Sequence, residues 1–122
     1  MLRSGGLAYV AADDDNGSGG ITVPFHGRRR PFRSGAAELA LRGDAALVPV
    51  FSTLALSGHV TFEFLEPLTP EGASHTAQVE SLLHGYAALL AERYTTDLGA
   101  MEWYILRKYV RLPLLDNRVR LM

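Results

Sequence analysis

VPFHGRRRPFRSGAAELALRGDAALVPVF, Val23 to Phe51, is the stretch from which the rest of the chain can be read. Ile21-Thr22-Val23-Pro24-Phe25 is β-branched and aromatic, which suits a strand. Pro24 lacks an N–H and places that strand at an edge or near its end. Gly27 breaks it, and Arg28, Arg29, Arg30 and Arg33 follow around Pro31 as an arginine-rich turn. Ser34 can cap a helix, since its hydroxyl can accept from the open amides of the next turn. Ala36 to Leu41 are good helix formers, and Gly43 is a fitting stop. Ala45 to Phe51 is almost wholly apolar, as expected of a strand buried on both faces. Strand, crossover helix and buried strand predict an α/β architecture, a mixed β-sheet with covering helices.

The chemistry of this stretch is anion binding. Guanidinium groups fork onto phosphate or carboxylate oxygens, and here they precede a helix N-terminus whose amides also attract anions. A solvated surface turn accounts for the same charges.

Downstream, Ser52 to Gly58 reads as a strand end and turn. His59 to Glu66 alternates, with Val60, Phe62 and Phe64 on one face of a half-buried strand, and an antiparallel hairpin with residues 47–54 is expected. His59 reads as a surface histidine. Pro67 to Ser74 is a loop, and Ser74 caps a helix to about Tyr94 whose apolar face is Val79, Leu82, Leu83, Tyr86 and Leu90. A second helix is expected from about Leu98 to Val110, carrying Trp103, Ile105, Leu106 and Tyr109 among Arg107, Lys108 and Arg111. It can pack its aromatics on the sheet or lie on anionic lipid. Residues 114–122 read as a loosely held tail.

Upstream, Leu7 to Ala12 reads as a short apolar strand, and Asp13 to Gly20 as a loop. Asp13 and Asp15 imitate the start of a calcium loop, but the twelfth position, which should be acidic, is Pro24. A solvated loop is the alternative.

At 122 residues, 48% hydrophobic and 20% charged, the chain fits one globular domain. A net charge of −1 gives no overall attraction to nucleic acid, which is not expected as a partner. The absence of cysteine excludes disulfides, thiolate zinc sites and a thiol nucleophile. No apolar run approaches the ~20 residues that span a bilayer.

The quoted stretch resembles the central part of the lysophospholipid acyltransferase superfamily, and within it the bacterial lipid A biosynthesis (lauroyl/myristoyl) acyltransferases. The elements that carry the likeness are Tyr9-Val10-Ala11-Ala12-Asp13, Val23-Pro24-Phe25-His26-Gly27, Gly35-Ala36-Ala37-Glu38-Leu39-Ala40 and Leu47-Val48-Pro49-Val50. Trp103 to Pro113 is similar to the aromatic and basic ending of that branch. The resemblance implies a glycerophosphate-acyltransferase-like fold, incomplete here, over residues 1–113. It implies transfer of a fatty acyl group from acyl carrier protein or coenzyme A to a lipid hydroxyl, at the cytoplasmic face of a bacterial inner membrane, by a peripheral protein. No metal or tightly bound cofactor is needed. Asp13, Asp14, Gly27, Arg28, Arg30, Arg33 and Gly35 would line the acceptor cleft, the arginines holding a phosphate.

The superfamily's base is the histidine of a His-x-x-x-x-Asp motif. Here the residue five beyond each histidine is Pro31 for His26, Phe64 for His59, Glu80 for His75 and Leu89 for His84. His75 and Glu80 stand in the wrong place and order, and five residues apart on a helix they point to different faces. The expectation is the C-terminal part of an acyltransferase, inactive alone. The alternative is a non-catalytic module binding anionic lipid or a carrier protein.

Overall fold

Ile21–Phe25 (β1) and Arg28–Phe32 (β2) form an antiparallel hairpin with Val23 opposite Arg30 and Phe25 opposite Arg28. The computed structural model describes residues 2–11 and 20–96. After β2 come α1 (Gly35–Arg42), β3 (Val50–Leu54), β4 (Val60–Phe64) and α2 (His75–Thr96), and a 3-10 turn at Leu2–Ser4 opens the chain. β3 and β4 make a second antiparallel hairpin.

The arginine-rich segment is therefore a strand, not a turn. The reversal is made earlier by His26 and Gly27, whose φ angles of 50° and 73° suit the tight turn that matches strand twist. By alternation, Thr22, Pro24, Arg29 and Pro31 share the outer face, where the two prolines blunt the open edges. Val23, Phe25, Arg30 and Phe32 are buried on the inner face.

The core forms where that inner face meets α2. Val79, Leu82, Leu83, Ala87, Leu90 and Tyr94 are buried on one side of the helix and pack with Val23, Phe25, Phe32 and Ala37. The ring of Phe25 meets those of Phe32 and Tyr94 edge-on, each at 5.8 Å. Each large apolar side chain buried in this way contributes about 1.5–3 kcal/mol. The apolar face expected for this helix is present, and so is its cap: Ser74 Oγ accepts from the Ala77 amide at 3.1 Å. Ser34 differs, flanking α1 in a helical conformation with no side-chain capping bond.

The α/β class holds, but the expected single mixed sheet does not. Among the described residues the strands pair only within the two antiparallel hairpins and the Leu47–Leu68 bridge. After the Gly43 stop, Asp44 takes a positive φ of 48° and the chain turns away. The run from Ala45 to Phe51 is a strand only from Val50, and β3 is half-buried at best. Its neighbour is β4, through a turn in which the Ala55 amide bonds the His59 carbonyl at 2.8 Å. The hairpin between residues 47–54 and 59–66 is as expected, yet Val60, Phe62 and Phe64 are exposed rather than half-buried. Residues 6–11 are not a strand, because no neighbour pairs with them among the described residues; Leu7 and Tyr9 are exposed. The helix expected over residues 98–110 and the tail at 114–122 lie outside the described residues.

Candidate functional site

Four arginines within a few residues of one another have different surroundings, because a strand sends neighbouring side chains to opposite faces. Arg28, beside the turn, is exposed. Arg29 faces outward and donates from Nη2 to the Thr22 carbonyl at 2.9 Å, clamping its own hairpin. Arg30 is 0% exposed, and its guanidinium lies over the rings of Phe25 at 5.1 Å and Phe32 at 4.7 Å. Such stacking in a desolvated site contributes about 2 kcal/mol. Arg33 is exposed between β2 and α1.

Arg28 and Arg33 are thus open to solvent, whereas Arg30, expected among the phosphate-holding arginines, is buried against the aromatic underside of the hairpin. Gly27 and Gly35 have nothing within 4 Å of where a Cβ would stand, so both leave open space beside these arginines. No acidic residue occurs between Asp15 and Glu38. Asp13, Asp14 and the calcium-like loop lie outside the described residues. Among the described residues no group of three or more His, Asp or Glu side chains could hold a metal ion, and no helix is long and apolar enough to cross a membrane.

A second cluster joins the helices. His75 Nε2 is 2.6 Å from Glu38 Oε2, and Arg42 Nε is 3.5 Å from the same oxygen. The hydrogen bond from His75 holds the Glu38 carboxyl below its ordinary range; desolvation, the next largest effect, opposes it, and the charges of His75 and then Arg42 support it. His75 is thus paired with a carboxylate on another helix, a partner that no sequence spacing signals. At the hairpin turn, burial pushes the His26 imidazole below its usual value.

Two open grooves lie elsewhere. One, of about 570 Å³, is lined by Leu2, Arg3, Leu41, Gly43 and Asp44. The other, of about 470 Å³, runs between the Leu65–Leu68 segment and the Gly85–Glu92 side of α2. Neither is lined by Arg28, Arg30 or Arg33.

The family model of the bacterial lipid A biosynthesis acyltransferases matches residues 1–83. The match takes in the arginine hairpin, α1, the second hairpin and the start of α2, and stops short of Trp103 to Pro113. No curated protein and no solved structure matches the chain.

Proposed function

Because the chain belongs to the bacterial lipid A biosynthesis acyltransferase family, we propose that it serves the transfer of a fatty acyl group onto a lipid hydroxyl. The donor is a thioester, acyl carrier protein or acyl-coenzyme A. The acceptor's oxygen bonds to the acyl carbon, the thiol departs, and the hydroxyl proton passes to a base. The part taken by this chain is the anionic end of the acceptor. Arg28 and Arg33 fork onto its phosphate, and Gly27 and Gly35 let it approach the backbone. Asp13 and Asp14 flank the polar end of the cleft. Arg30 acts from beneath, holding Phe25 and Phe32. The fold proposed for the complete family member is glycerophosphate-acyltransferase-like, with each hairpin a separate part of it, and the protein works peripherally at the cytoplasmic face of the inner membrane.

The observation that carries this reading is the family match over residues 1–83, within which every exposed arginine of the hairpin lies. The test is transfer of a labelled acyl group from acyl carrier protein or coenzyme A to a lipid A precursor. Turnover that falls in an Arg28→Ala/Arg33→Ala variant supports it. One observation favours a second reading, a module that binds anionic lipid or carrier protein without catalysis: no histidine of the sequence begins a His-x-x-x-x-Asp motif. That reading expects binding without turnover. Neither turnover nor binding would remove both.

A further inference from the structure

The β3–β4 hairpin is turned inside out. Directly opposed residues of an antiparallel pair share a face, so Val50, Ser52 and Leu54 lie with Phe64, Phe62 and Val60. The other face carries Phe51, Thr53, Thr61 and Glu63. It is this more polar face that meets the body of the protein, where Arg93 of α2 stacks on Phe51 at 4.8 Å and pairs with Glu63. The apolar face points away, with Leu54 and Phe64 each 72% exposed, Phe62 62% and Val60 52%. Leu56, at the connecting turn, is fully exposed. An apolar patch of this kind marks an interaction surface.

We propose that this face is a homodimer interface, covered by the same face of a second copy of the chain. Two properties select that occupant. The exposed side chains supply on the order of 600–700 Å² per copy, and two copies together fall within the ~1,200–2,000 Å² of a stable interface. The face is also free of charge: from Ala45 to Phe62 there is no Asp, Glu, Lys or Arg. In a two-fold contact the same patch meets itself, so a charge near the axis would meet its own copy. The small Ser52 lets the two sheets stack at the usual ~10 Å.

The test is the mass of the full chain by sedimentation and light scattering over a wide concentration range. The expected result is a reversible species at twice 13.3 kDa. Phe62→Thr/Phe64→Thr keeps strand propensity and removes the central aromatics, and is expected to weaken association at least about a hundredfold. A second measurement does not depend on that variant folding. In this cysteine-free chain, Ser52→Cys should cross-link to its own copy through a short bis-maleimide, and Thr53→Cys, on the opposite face, should not. A chain that stays monomeric at every concentration overturns the proposal. So does a dimer that survives the double variant and gives no Ser52 cross-link. A monomer that binds lipid vesicles through Phe62 and Phe64 overturns it too, by naming a different occupant.

Discussion

His75 Nε2, at the first residue of α2, lies 2.6 Å from Glu38 Oε2 on α1, and this pair joins the two helices across 37 residues of sequence. Glu38 is held below its ordinary value of 4.5, first by the His75 hydrogen bond. A carboxyl lowered on folding adds stability that is complete above its unfolded value and is lost as pH falls through the folded one. Thermal melts from neutral pH to well below 4.5 should therefore show the parent losing stability that Glu38→Gln never had. The two curves should converge at the acid end. Parallel curves would mean the pair contributes nothing.

His26 works in the same direction through a different cause. Its Nε2 is shielded from water with no hydrogen-bond partner among the described residues, and burial lowers its pKa from 6.5. Charging it in the folded state is costly, so its contribution is present above 6.5 and fades as pH falls through the folded value. Asn tolerates the positive φ of 50° and makes the favoured Asn-Gly turn with Gly27. His26→Asn should melt progressively higher than the parent as pH drops below 6.5. A constant difference would show that the histidine does not titrate in the fold.

The two serines at helix starts separate by their bonds. Ser74→Ala removes a hydrogen bond to the Ala77 amide and should cost about 1 kcal/mol in urea unfolding. Ser34→Ala removes no capping bond and should fall within about 0.5 kcal/mol of the parent.

Gly20, just before β1, has φ of 100°, and a Cβ there would stand 2.1 Å from the Phe32 carbonyl oxygen. Gly20→Ala should destabilise by at least about 1–3 kcal/mol from the backbone conformation alone, with the clash adding to it. Unfolding in urea at the parent's midpoint would contradict this.

The long helix was legible because its apolar residues recur at helical spacing and Ser74 stands where a cap belongs. The second hairpin was legible from the alternation of residues 59–66. The arginine segment was misread for an identifiable reason: charge and proline suggest a turn, whereas Gly27 had already completed the reversal with His26. Alternation then buries Arg30 between two phenylalanines while its neighbours stay outside. Strand partners are long-range choices, and nothing in the apolarity of Leu7 to Ala12 or Ala45 to Phe51 specifies them. Of the candidate site, Arg28 and Arg33 are exposed and Arg30 is buried, a separation set by strand alternation and not by the run of charge. The pairing of His75 with Glu38 had no signal in sequence spacing.

The most direct test of the proposed role is a titration of the full chain with vesicles containing a lipid A precursor, set beside neutral phosphatidylcholine vesicles. The expected result is selective binding to the phosphorylated lipid, weakened by salt. Arg28→Ala/Arg33→Ala should weaken it at least about tenfold with little change in melting temperature. Equal affinity for both vesicles, or binding indifferent to the two arginines, would contradict a role for the hairpin in holding the acceptor's phosphate.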